Sequence, residues 1–289
     1  MQRDKFIGYL SAEKRFSDHT IISYSSDIDQ FFVFILDNFK IENDISEVNF
    51  QIVRSWIAYL LEKGISPRSV NRKISTLRTY FKFLIREGII QESPMLRVVS
   101  PKAKKRLPLF IEESQIEELL DKVRFEEGFI GDRNKLILEL FYVTGIRLSE
   151  LINIKITDIN LDNNVVKVLG KRKKERLIPI SLGVTEGVRL FIEKYNINGY
   201  LFTNLDGRQV YTKLVYRIVN RYIGKISSIN KKSPHILRHT FATHMLNNGA
   251  DINAIKELLG HANLSATQVY THNTIEKLKS VHKQAHPRA

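Results

Sequence analysis

Three prolines, Pro94, Pro101 and Pro108, stand close together and bracket Lys102, Lys104, Lys105 and Arg106. Proline lacks an N–H and clashes with the preceding turn, so no helix runs through such spacing. A stretch this basic is also poor core material. The chain of 289 residues is therefore read as two bodies, 1–97 and 109–289, joined by a basic strap at 98–108 that stays off either core.

The front body reads as helical. Ile28, Phe31, Phe32 and Ile35 follow Asp27 at three- and four-residue intervals, and Ile74, Leu77, Phe81, Leu84 and Ile85 repeat the pattern before Gly88. Such spacing keeps apolar side chains on one helix face. Ser66 offers an N-cap and Pro67 the first helical position, so a helix over 66–85 carries Arg68, Arg72 and Lys73 at its N-terminal end. Four helices with short connections are expected. The back body mixes types. Helical patterns cover 113–123, 135–143, 185–195, 211–224, 234–248 and 252–259. β-rich runs at 165–169 and 176–180 flank Gly170-Lys171-Arg172-Lys173-Lys174, a hairpin with a basic tip. The fold class is mainly α, with a four-helix front domain and an α+β second domain holding a small antiparallel sheet.

The charge is uneven. Residues 1–100 hold 14 Lys/Arg against 12 Asp/Glu, whereas residues 101–289 hold 31 against 19. A polyanion suits such a body, because each neutralised phosphate releases condensed counterions; mere solubility is the competing explanation. Anionic membrane fits less well, since the cations are scattered rather than set on one amphipathic stripe. The chain has no cysteine, which excludes disulfides, thiolate metal sites and thiol chemistry. The N-terminus lacks the apolar run of a secretory signal. Runs such as 31–36 are far short of the roughly 20 residues that a membrane span needs. A cytoplasmic protein is expected.

Several catalytic patterns are missing. There is no phosphate-binding loop of the G-x-x-x-x-G-K-[ST] type, so ATP use is not expected, and no carboxylate cluster suggests a two-metal nuclease. His235 and His239 are four apart, but Ile236 stands where a metalloprotease helix has its glutamate, and Arg238 between them is a poor neighbour for a cation. No metal or other cofactor is expected. Ser233 and Pro234 start a helix that places His235 and Arg238 in its first turn, beside free N–H groups that suit phosphate; incidental charge at a helix start is the alternative. Leu237 and Phe241 lie on a face that can bury. Gly260 reads as a helix C-cap with His261 just beyond it, and Tyr270 follows in a segment whose Ser265-Ala266-Thr267-Gln268 resembles a capping box.

Taken together, Thr144-Gly145-Ile146-Arg147-Leu148-Ser149-Glu150-Leu151, His235-Ile236-Leu237-Arg238-His239-Thr240-Phe241-Ala242-Thr243-His244, Leu258-Leu259-Gly260-His261 and Tyr270-Thr271-His272 resemble the boxes of the tyrosine site-specific recombinases in order and spacing. The hairpin tip Gly170-Lys171 with Glu175-Arg176-Leu177-Ile178-Pro179 behind it fits as well. The front domain is similar to the SAM-like core-binding domain, and His286-Pro287-Arg288-Ala289 resembles the Xer branch. The likeness covers nearly the whole chain. Lys256 and Ala266 depart from the residues usual at their positions, Gln and Thr.

The resemblance implies that Tyr270 attacks a DNA phosphodiester and forms a 3′-phosphotyrosyl bond. Arg147 and Arg238 clamp the non-bridging oxygens, His261 donates a further hydrogen bond, Lys171 protonates the leaving 5′-oxygen and His235 takes the tyrosine proton. Contacts to DNA are expected from Arg68, Arg72, Lys73, Lys102, Lys104, Lys105 and Arg106. The implied partners are duplex DNA with inverted half-sites, a homo- or hetero-tetramer with a second Xer recombinase, and the DNA translocase FtsK, in resolving chromosome dimers at cell division. The helix after Tyr270, with Ile275, Leu278 and Val281 in one stripe, must dock somewhere; the resemblance implies that it passes to a neighbouring subunit, and docking back on its own domain is the alternative. A mobile-element integrase shares this chemistry, although the short lead before the first helix leaves little room for an arm-binding domain. A type IB topoisomerase shares the site but does not explain the tail. A DNA-binding protein that never cuts is the alternative from another class.

Overall fold

The computed structural model describes residues 2–42, 45–103, 109–170, 175–229, 232–260 and 272–289. The chain divides into two compact units, Met1–Arg106 and Leu107–Ala289. The first contains four α-helices among the described residues: α1 (Gln2–Ala12), α2 (Asp18–Phe39), α3 (Phe50–Glu62) and α4 (Pro67–Arg86). Their apolar stripes meet in a core around Phe6, Phe31, Val53, Trp56, Ile74, Leu77, Tyr80 and Phe81. Burying a side chain of that size contributes about 1.5–3 kcal/mol. α4 starts as its sequence requires, with Pro67 in the first turn and the Ser66 hydroxyl accepting from the Ser69 N–H at 3.3 Å.

Two expectations for this unit need correction. The strap does not stay wholly off the core, because its first residue, Val98, is buried among the helices, as is Met95 just before it. Arg78 and Asn71 on α4 hold its backbone, donating to the carbonyls of Val98 (2.8 Å) and Pro101 (3.0 Å). Apolar residues spaced between prolines can dock where the strap runs against α4, and its overall basic character hid them. Lys73 is the second. Its side chain is 7% exposed and its ammonium donates to Asp27 (2.8 Å) and Gln30 (2.6 Å) inside the unit. Asp27, itself buried, also binds Arg72 and the Thr76 hydroxyl. A buried carboxylate needs such partners, and Lys73 is one of them rather than a surface contact.

The second unit has its main core under α6 (Phe129–Thr144), with Leu138, Phe141, Leu151, Ile178, Val188, Phe202, Val219 and Tyr222 among its members. A short α5 (Glu113–Glu117) runs into a π-helical turn at Glu118–Lys122. α7 (Leu148–Leu151) follows α6 after Gly145. The sheet is antiparallel in the order β1 (Ile159–Asn160), β2 (Val165–Leu169), β3 (Glu175–Pro179), with Val168 opposite Arg176. Then come α8 (Leu182–Tyr195), α9 (Thr212–Ile226), α10 (Pro234–Asn247), α11 (Ile252–Leu259) and α12 (His272–Ala285). α12 covers its own unit: Leu278 and Ala285 are buried with Phe241, Met245, Leu258 and Leu259. No helix among the described residues is long and apolar enough to cross a membrane.

Candidate active site

The site is built at the ends of helices. α6 stops at Gly145, whose φ of +57° continues the chain in the left-handed region. A Cβ there would lie 2.5 Å from Phe241 Cδ1 and 2.8 Å from Leu259 Cδ2, so only glycine fits both the turn and the packing. Two residues later Arg147 is the N-cap of α7. Its backbone N–H donates to Glu150 Oε2 at 2.8 Å, and its guanidinium reaches Glu150 Oε1 at 2.7 Å. α11 stops at Gly260, also left-handed.

The last carbonyls of α11 organise three arginines. Leu258 O accepts from Arg176 Nε (3.0 Å), Leu259 O from Arg238 Nη2 (2.7 Å) and Gly260 O from Arg147 Nη2 (2.8 Å). Carbonyls at a helix C-terminus lack intrahelical partners and carry partial negative charge, which suits cations. Arg238 spans to the other helix end through Gly145 O at 2.7 Å. Arg176 forks onto Glu150, Nη1 to Oε1 at 2.7 Å and Nη2 to Oε2 at 2.8 Å.

The electrostatics follow. Burial alone would raise the Glu150 carboxyl, but hydrogen bonds and charge from Arg176, with Arg147 beside it, hold it at about 2. Arg238 is lowered to about 10, first by burial and then by repulsion from Arg147 and Arg176. Three guanidiniums face one carboxylate, so an anion that joined them would relieve this repulsion. Arg147 keeps 32% of its side chain exposed, whereas Arg176 keeps 4%. The hydrogen bonds described use two of the five N–H donors on Arg147 and two on Arg238.

Arg147 and Arg238 are thus brought to adjacent carbonyls of one helix end. His235 lies on the first turn of α10 with its side chain exposed, its ring tilted against that of His239 at 6.3 Å between ring centroids. It does not share the inward direction of Arg238, although three residues separate them. Ser233 occupies the N-cap without a side-chain cap bond, and Leu237 and Phe241 are fully buried. Arg68, Arg72 and Lys102 are exposed in the first unit. Lys171, His261 and Tyr270, like Lys104, Lys105 and Arg106, lie outside the described residues. The sequence motifs assign no role to Arg176 or Glu150. The three-residue spacing from Arg147 to Glu150 was a usable signal; the pairing of Glu150 with Arg176 across 26 positions left none.

The profile of the phage integrase family matches residues 110–277, and that of the phage integrase N-terminal SAM-like domain matches residues 4–88. A protein named tyrosine recombinase XerC from Pelotomaculum thermopropionicum is 36% identical over 99% of this chain and 98% of its own length. One of the same name from Bacillus subtilis is 38% identical, covering 98% of this chain and 95% of its own. The structure of XerH site-specific recombinase bound to palindromic difH substrate superposes with a TM-score of 0.70 at 22% identity, over 91% of this chain and 80% of that one, a likeness of fold. Two matched domains in order and near-complete alignment with the XerC proteins establish that the chain belongs to the phage integrase family, as a tyrosine site-specific recombinase of its Xer branch.

Proposed function

We propose that this enzyme recombines duplex DNA carrying two inverted half-sites, cutting one pair of strands at a time through a four-way junction, and that it serves to resolve chromosome dimers at cell division. The observation that carries the reading is the pair Arg147 and Arg238, held on neighbouring carbonyls of α11 with donors left over. Attack on a phosphodiester gathers negative charge on the non-bridging oxygens. Preorganised guanidiniums stabilise that charge without reorganising during the reaction.

In this reading Tyr270 attacks, His235 accepts its proton, His261 donates to the same oxygens as the arginines, and Lys171 protonates the departing 5′-oxygen. The phosphotyrosyl bond keeps the energy of the phosphodiester, so the 5′-hydroxyl of another strand religates it without ATP. Arg68, Arg72 and Lys102, with Lys104, Lys105 and Arg106, hold the DNA backbone; Lys73 is left out because Asp27 holds it in the interior. The XerH relative is described bound to its difH substrate, which supports duplex DNA as the partner here. A tetramer, of this chain alone or with a second Xer recombinase, and control by FtsK complete the reading. Exchange of α12 between subunits first requires releasing Leu278 from its own domain.

The test starts with a nuclease footprint, read for two inverted half-sites. A synthetic four-way junction built from the protected sequence is then incubated with the protein, and with a second recombinase if the genome encodes one. Exchanged, religated strands in the absence of nucleotide are expected. A bound junction that is never resolved contradicts the reading.

A further inference from the structure

Arg176 lies on β3 opposite Val168 of β2, and its guanidinium is buried against the ends of two other elements. All three of its nitrogens donate: two to Glu150 on α7 and one to Leu258 O on α11. It therefore has little left to offer a substrate. Glu150 in turn accepts two hydrogen bonds on each carboxylate oxygen, one from Arg176 and one from Arg147 in both cases. That fills its ordinary lone-pair capacity and leaves Arg147 a single side-chain bond to it. Gly260 completes the arrangement. A Cβ there would stand 3.1 Å from Arg176 Cδ and Nη1, so the glycine that caps α11 also lets Arg176 lie against the backbone whose carbonyl holds Arg147.

We propose that Arg176 is a positioning residue for phosphoryl transfer: by forking onto Glu150 and bonding Leu258 O, it fixes the direction of the Arg147 guanidinium and ties β3 to the phosphate-facing arginines. The inference rests on the reading that Arg147 clamps the scissile phosphate. Without the fork, both Glu150 oxygens turn to Arg147, the nearest remaining cation, and draw its donors away from an incoming phosphate. Lysine in place of Arg176 keeps the positive charge that the buried carboxylate needs but presents a point charge instead of a planar fork. Orientation is then lost while charge balance is kept. A displacement of about 1 Å at a reacting group can cost roughly 10²-fold in rate.

The test uses the full chain and a nicked suicide duplex that traps the covalent adduct in a single turnover. Arg176→Lys is expected to melt within a few degrees of wild type, bind half-site DNA within about twofold, and form adduct about 10²-fold more slowly. A double-mutant cycle with Arg147→Ala separates positioning from general support. If Arg176 acts through Arg147, the double variant is no slower than Arg147→Ala alone, within about threefold. A double variant slowed by the full Arg176→Lys factor overturns the inference, as does Arg176→Lys cutting at the wild-type rate. An Arg176→Lys protein that melts far below wild type and loses half-site binding also overturns it, since the role is then structural. A wild-type protein that forms no adduct overturns the reading of the site, and this inference with it.

Discussion

Arg238 donates to the carbonyl of Gly145 at 2.7 Å, so a buried guanidinium on α10 is aligned by the residue that ends α6. The same glycine starts the turn that delivers Arg147. Two arginines far apart in the chain are thereby set by one left-handed residue, and the geometry of the clamp depends on a position that itself carries no functional group.

Gly145→Ala tests that dependence. The new methyl would overlap Phe241 and Leu259 in a left-handed backbone. Overpacking of this kind costs about 1–3 kcal/mol, with about 1 kcal/mol more from the turn. Thermal melting of the second unit should fall accordingly, and cleavage should fall further than half-site binding. Unchanged melting would show that the turn relaxes without effect.

Glu150 carries a pH dependence whose sign is fixed by its partners. Its carboxyl is held at about 2 in the folded chain against an ordinary 4.5. The depressed value contributes stability that is complete above about pH 4.5 and is lost as pH falls toward 2. Glu150→Gln should remove this acid-sensitive part of the unfolding curve. It should also cost about 3–5 kcal/mol, because Arg176 is left buried without its carboxylate. A variant with the wild-type acid profile would show that Glu150 is not the group titrating.

The C-terminal helix carries a second pH dependence. His282 and His286 stack at 4.9 Å between ring centroids and bond the carbonyls of Val143 (2.8 Å) and Tyr142 (3.1 Å) at the end of α6. Burial, with repulsion from His282, lowers His286 to about 3, and burial lowers His282 as well. His244 is also buried against Tyr142, and Arg288 pairs with Asp121 nearby. A neutral buried histidine contributes docking stability that is complete above its ordinary value near 6.5 and declines as pH falls below it, by about 1.4 kcal/mol per unit for each group. Amide protection factors over 275–289, which allow for the slower intrinsic exchange at lower pH, should therefore fall between pH 6.5 and 5 ahead of global unfolding. His286→Phe should flatten that response. Protection factors that stay constant over this range in the wild-type chain would contradict the docking role given to the two imidazoles.

The basic strap makes a separate claim about DNA. Replacing Lys102, Lys104, Lys105 and Arg106 together by glutamine should reduce the slope of log affinity against log salt by about one unit per lost phosphate contact. An unchanged slope would mean that these residues do not meet the backbone. The packing of Met95 and Val98 predicts that the substitutions leave the melting of the first unit untouched.

Much of this architecture was legible because long amphipathic patterns encode long helices: the stripe from Ile74 to Leu84 could bury in no other way. Elements too short to show a period were not legible, notably α7 with four residues and β1 with two. The same limit applied to charge. Arg147 and Arg238 stood out through their neighbours in sequence, whereas Arg176 and Lys73 have meanings set by partners far along the chain, Glu150 and Asp27. A basic residue reads as surface until its carboxylate is known. The tail showed its apolar stripe but not its histidines, whose partners are backbone carbonyls that any sequence possesses.

The covalent intermediate is the most direct measure of the whole account. Wild type and Tyr270→Phe are incubated with a nicked suicide duplex carrying one full site, and the products are separated under denaturing conditions. The substitution removes only a hydroxyl, so both proteins should bind the duplex alike. Wild type should yield a DNA–protein band whose adduct maps to Tyr270, and Tyr270→Phe should yield none. A band of equal intensity from Tyr270→Phe would contradict the account, because the nucleophile would then be another residue and the clamp of Arg147 and Arg238 would face the wrong group.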